Sequence, residues 1–77
     1  MIIDKNNAKV SQRLRENFET IRLQRRLTLQ EISDKSGLSL SFLKKYKASQ
    51  RGITVDNAAK LAGAFDMTLV GLINWRK

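Results

Sequence analysis

The residue types that carry most enzyme chemistry are missing from this chain. Among 77 residues there is no Cys and no His. That excludes a disulfide framework, a zinc site of the usual Cys/His kind, a thiol nucleophile and an imidazole base. Seven Asp plus Glu are scattered along the chain. An acid/base pair would need one carboxylate raised in pKa by an apolar pocket, which so small a core can hardly enclose. No catalytic residue, metal or cofactor is therefore expected. The chemistry that remains is cationic: fifteen Lys plus Arg give a formal charge of +8, the electrostatic footprint of a polyanion binder. No acidic residue lies between Asp34 and Asp56, whereas Lys35, Lys44, Lys45, Lys47 and Arg51 all fall in that window. Arg22, Arg25 and Arg26 form a second cluster just upstream. Nucleic acid is favoured over an anionic membrane, because a membrane-lying helix would oppose its lysines with large apolar residues over a longer stretch.

These cations need elements to position them. With 42% hydrophobic and 29% charged residues, the chain is neither a disordered tail nor a membrane protein, and a single domain over residues 1–77 with a small core is expected. Residues 1–7 read as an arm, in which Asp4 and the two isoleucines favour packing or disorder over DNA contact. No apolar run has the length of a signal peptide or of a spanning helix, so the protein is expected in the cytoplasm, associated with the nucleoid.

Glycines and capping residues divide the chain into five short helices. The first spans Ala8 to Arg25, capped by Asn7, with Val10, Leu14, Phe18 and Ile21 as its apolar stripe. Thr28 with Glu31 is a capping box that opens a second helix, Leu29 to about Ser36, with Leu29 and Ile32 inward. Gly37 ends it in the left-handed conformation. Ser39 caps a third helix, Leu40 to about Ala48, which turns Phe42, Leu43 and Tyr46 inward and Leu40, Ser41, Lys44 and Lys45 outward. After a loop from Ser49 to Ile53, Thr54 caps a fourth helix with Val55, Ala58, Leu61, Ala62 and Phe65 in register. Thr68 caps the last, containing Leu69, Leu72, Ile73 and Trp75. Gly63 and Gly71 interrupt these patterns and read as close helix approaches. No stretch alternates as a half-buried strand does. The fold class is all-α.

From Thr28 to Tyr46 the chain lays out a short helix, a glycine turn and a second helix with a basic outer face. This is the layout of a helix-turn-helix, a motif in which the second helix enters the DNA major groove. Leu38 anchors the crossing, and Ser39 leaves the positive helix end facing phosphate.

On these residues the chain resembles the XRE family of bacterial and phage regulators, which includes the lambdoid repressors and their Cro counterparts. The matching pieces are Ile21-Arg22, Leu27-Thr28, Glu31-Ile32, Gly37-Leu38-Ser39, Leu43 and Tyr46, and Leu61-Ala62-Gly63-Ala64-Phe65, and they extend from about Phe18 to Ile73. The resemblance implies a five-helix bundle of the lambda-repressor type, operator binding and commonly homodimerisation through the last helix. Arg51-Gly52-Ile53-Thr54-Val55 also looks like the small controller proteins of restriction-modification systems. Two positions depart from the family pattern. Leu29 stands where many members have a phosphate-contacting Gln. Lys47 stands where the family usually has a Glu paired with the Arg that matches Arg22, so that pair cannot form, reduced monomer stability is expected, and Lys47 turns outward.

The expected base contacts are Leu40, Ser41, Lys44 and Lys45, with the lysines donating to guanine and Leu40 against a thymine methyl. Thr28, Ser39, Lys47 and Arg51 are expected at phosphates, which position without reading sequence. Arg22 reads as structural, and Arg25 and Arg26 as a solvated basic surface. Phe42 and Tyr46 read as core, not as a base-stacking platform. Leu69, Leu72, Ile73 and Trp75 exceed what one helix end needs to cover the core and suggest a dimer interface, although Trp75 can equally pack onto the first helix. The leading expectation is a dimeric repressor on a palindromic operator in double-stranded DNA, with RNA polymerase or another protein as a further partner. The alternatives are a restriction-modification controller and an antitoxin-like interaction module. No residues remain for a ligand-sensing domain, so control is expected through concentration, a partner or degradation.

Overall fold

The computed structural model describes residues 2–3 and 8–76, with side chains from Val10 onward. Among the described residues five helices form: α1 (Ala8–Gln24), α2 (Leu29–Ser36), α3 (Leu40–Lys47), α4 (Val55–Gly63) and α5 (Leu69–Ile73). Asn7, the expected cap of α1, lies outside the described residues. Each of the other four helices starts at the predicted capping residue. The hydroxyls of Thr28, Ser39, Thr54 and Thr68 accept from the backbone N–H three residues ahead, at 3.0–3.1 Å. Such local bonds satisfy N–H groups that a helix cannot pair internally, so helix starts are written in short stretches of sequence.

Two short strands also form, which sequence alternation did not reveal. β1 (Ile2–Ile3) pairs antiparallel with β2 (Ile53–Thr54), Ile2 opposite Thr54 and Ile3 opposite Ile53. Two residues carry no detectable period, and the partners are far apart in the chain. The ribbon ties the start of the chain to the segment that leads into α4.

The core is built around Phe18. Its ring lies 5.9 Å from that of Tyr46 and 6.0 Å from that of Phe65, both tilted, and so joins α1 to α3 and to the end of α4. Leu14, Ile21, Ile32, Leu43, Leu61 and Leu72 close around these rings and are almost wholly buried. α1 packs on α3 and α5, and α4 packs on α2 and α5.

Three expectations are corrected. Val10 is 41% exposed and Ser11 takes the inward place, because Ser11, Leu14, Phe18 and Ile21 also fall on one helical face. Trp75 lies beyond α5, which ends at Ile73. The Asn17 amide donates to the carbonyls of Leu72, Ile73 and Trp75 at 2.8–3.1 Å and turns the chain against α1 there. Gly63 is no close approach, since a Cβ built there meets nothing within 4 Å. At Gly71 it would stand 3.0 Å from Thr68 Oγ1, so that glycine makes room for the capping hydroxyl.

Helix ends show a second regularity. Gly37 is left-handed at φ 80° as expected, but Arg26, Ser49 and Asp66 are left-handed too, at φ 56°, 61° and 59°. At each of these three the following N–H reaches back five residues, from Leu27 to Arg22, Gln50 to Lys45 and Met67 to Ala62. This closes the helix end in the Schellman manner, with a side chain where glycine is usual.

Candidate nucleic-acid interface

The turn between α2 and α3 is fastened by its own polar residues. Gly37 donates its N–H to the Ser33 carbonyl at 2.9 Å, the Ser33 hydroxyl donates to the Leu38 carbonyl at 2.6 Å, and the Ser36 hydroxyl accepts from the Leu38 N–H at 3.1 Å. Leu38 is buried. The angle between the two helices is thus set by an apolar anchor and three local bonds. Ser33 and Ser36 escaped the sequence reading because serines in a polar helix carry no distinguishing signal.

At the start of α2 the capping box is complete. The Thr28 N–H donates to the Glu31 carboxylate at 3.0 Å while the Thr28 hydroxyl accepts from the Glu31 N–H at 3.1 Å. The Thr28 backbone bond chiefly, then its hydroxyl and the Lys35 charge, hold the Glu31 carboxyl below the ordinary carboxylate range. The backbone N–H of Thr28 is therefore committed within the protein.

α3 turns Phe42, Leu43 and Tyr46 into the core, as expected. Ser41, Lys44, Lys45 and Lys47 are exposed and Leu40 is half-buried. With about 3.6 residues per turn, Ser41 and Lys44 occupy the middle of the outer face and Leu40 and Lys45 its flanks. The Ser39 hydroxyl accepts from Phe42 N–H at 3.1 Å, which leaves the hydroxyl proton to donate outward. Arg51 lies with its guanidinium 4.5 Å from the centre of the Phe42 ring, on the Lys45 flank of the helix. Among the described residues, no carboxylate stands within 4.0 Å of Lys44, Lys45, Lys47 or Arg51, since the ion pair formed there is Arg22–Glu19.

The upstream arginines behave differently. Arg22 grips both Glu19 carboxylate oxygens at 3.1 and 2.9 Å and donates to the Leu27 carbonyl at 2.9 Å, a structural role as expected. The partner of Arg22 is thus the local Glu19, and Lys47 is exposed. Arg25 is not merely a solvated cation: it donates to the Phe65 carbonyl at 2.8 Å and sits over the Phe65 ring. Arg15 drew no attention in the sequence, yet its Nε donates to the Tyr46 carbonyl at 2.8 Å, at the end of α3. Tyr46 itself is buried, its hydroxyl has no partner among the described residues, and burial pushes its pKa up to about 12 against the pull of Arg15.

Of the residues expected at a dimer contact, Leu69, Ile73 and Trp75 are half-buried, packed at the edge of the core, and Leu72 is wholly inside it. Val70, which the sequence reading passed over, is 67% exposed. A groove of about 330 Å³ nearby is lined by Arg13, Asn17, Asn74, Trp75 and Arg76.

Among the described residues, no helix is long and apolar enough to cross a membrane. A family profile described as helix-turn-helix matches residues 18–72. No curated protein and no solved structure gives a significant match. The profile covers all of α2 through α4 together with the end of α1 from Phe18 onward and most of α5. It takes in the glycine turn and the capped basic helix, and on these grounds the chain belongs to the XRE family of helix-turn-helix DNA-binding regulators.

Proposed function

We propose that the protein is a sequence-specific repressor that binds a palindromic operator as a homodimer, with α3 of each copy in the major groove. The observation that carries this reading is the outer face of α3, where Ser41, Lys44 and Lys45 stand exposed and free of carboxylates on a helix fastened at both ends. Lys44 and Lys45 donate to guanine edges, Ser41 bonds to a base, and Leu40 meets a thymine methyl from its flank. Ser39, Lys47, Arg51 and the hydroxyl of Thr28 hold phosphates and set the register. Leu69, Val70, Ile73 and Trp75 meet their counterparts across a twofold axis, with Leu72 supporting them from inside the core.

Selection of bound duplexes from a random pool tests this, followed by titration of the selected and random duplexes over a range of salt. The expected outcome is a palindrome bound at least about a thousandfold more tightly than random DNA, with affinity falling steeply as salt rises. Lys44→Ala with Lys45→Ala abolishes that preference in a protein that remains folded. Equal binding of all duplexes by the unaltered protein overturns sequence-specific regulation.

A second reading, a protein-interaction module, is favoured by the groove beside Trp75. Arg13 and Arg76 line it, and among the described residues neither meets a carboxylate within 4.0 Å. Retention of an acidic partner by Lys44→Ala/Lys45→Ala protein that no longer binds DNA supports that reading, and its loss on Arg13→Ala with DNA binding intact places the contact in the groove.

A further inference from the structure

The C-terminal end of α3 is held from outside its own segment. The N–H groups of Ala48, Ser49 and Gln50 return to the carbonyls of Lys44, Tyr46 and Lys45 at 3.1, 3.1 and 2.9 Å. The Tyr46 carbonyl takes a second and shorter bond, from Arg15 Nε at 2.8 Å. The same guanidinium lies 4.9 Å from the centre of the Tyr46 ring, and its Nη2 reaches the Arg51 carbonyl at 3.5 Å. One side chain of α1 therefore touches the helix that carries Lys44 and Lys45 and the loop that carries Arg51. A cation at a helix C-terminus also meets the negative end of the helix dipole.

We propose that Arg15 is a positioning residue for DNA reading: it fixes the angle of α3 and the loop after it. Arg22 spends its donors on Glu19 and on the Leu27 carbonyl, and the arginine of α1 that bonds to the end of α3 is Arg15. The proposal rests on the DNA-binding reading above. It has a distinct signature, because base contacts depend on the direction of a rigid helix whereas phosphate contacts from long, exposed side chains adapt.

The test uses Arg15→Met, which keeps the apolar stem and removes the donors, and Arg15→Lys, which restores one donor. Each is titrated with the selected operator and with random duplex across a salt series, at a temperature where circular dichroism reports a folded protein. Arg15→Met is expected to lose about tenfold in operator affinity, the size of one base contact, with random-duplex affinity and the salt slope unchanged, and Arg15→Lys is expected to recover part of the loss. In the free protein, amide exchange at Ser49 and Gln50 is expected to accelerate in Arg15→Met ahead of the core amides. Equal weakening on both duplexes with a shallower salt slope would mean that Arg15 is itself a phosphate ligand, and overturns the proposal. So does an unchanged operator preference in folded Arg15→Met. If the unaltered protein shows no operator preference, the DNA reading fails and takes this proposal with it, whereas the other two outcomes overturn the proposal alone.

Discussion

At its N-terminus α3 is fastened by its immediate neighbours, and at its C-terminus by a residue of another helix. Ser39 caps the first turn, Leu38 anchors the preceding crossing, and Ser33 and Ser36 tie the turn, all within a few residues. Opposite them, Arg15 arrives from a position 31 residues earlier to hold the Tyr46 carbonyl, and Ser49 adopts a left-handed backbone at φ 61° where α2 uses Gly37. The first kind of fastening is local and survives in any context that lets the helix start. The second exists only when α1 is packed in place, so the direction of α3 depends on the whole fold while its beginning does not.

The largest effect that can break this contrast lies at Tyr46. Its hydroxyl is expected to titrate near pH 12 in the folded protein against an ordinary value of 10.0. Below the ordinary value the group is protonated in both folded and unfolded chains and contributes no pH dependence. Between the two values the unfolded chain releases its proton while the folded one keeps it, so stability declines through that interval, by about 2–3 kcal/mol in all. As the chain has one tyrosine, tyrosinate absorbance reads it directly, and Tyr46→Phe is expected to remove this share of the alkaline loss. A folded-state midpoint at the ordinary value would mean that the end of α3 is open to water and that the tertiary fastening fails.

Ser39→Ala removes the local fastening and is expected to lower stability by about 1 kcal/mol in denaturant unfolding. An unchanged midpoint would show that packing alone starts the helix. The smallest change concerns the left-handed residue at the other end. Ser49→Gly is expected to stabilise the protein by about 0.5–1 kcal/mol in the same measurement, as the side-chain penalty of that conformation is relieved. A loss of stability would show instead that the Ser49 side chain holds the loop.

The same division governs how much of the molecule was legible. The starts of α2, α3, α4 and α5 follow from Thr28, Ser39, Thr54 and Thr68, because a cap acts over three residues. The inward set Phe42, Leu43 and Tyr46 follows from helical spacing, and the exposed cations on the opposite face of α3 follow with it. Helix ends were less legible. Gly37 announces itself, but Arg26 and Ser49 do not, since nothing in their residue type marks a left-handed conformation, and Asp66 carries only the weak preference of an Asp for it.

Sequence by itself determined the helix-turn-helix layout, the cationic face and the absence of cysteine and histidine chemistry. Each of these rests on residue type or on spacing within one or two helical turns. Tertiary structure decided that Ser11 and not Val10 faces the core, and that Ile2–Ile3 pairs with Ile53–Thr54. It also decided that Asn17 closes the end of α5 and that Arg15 holds the end of α3. These are bonds and contacts between segments far apart in the chain, and local preference cannot specify a partner that only the packed core brings within reach.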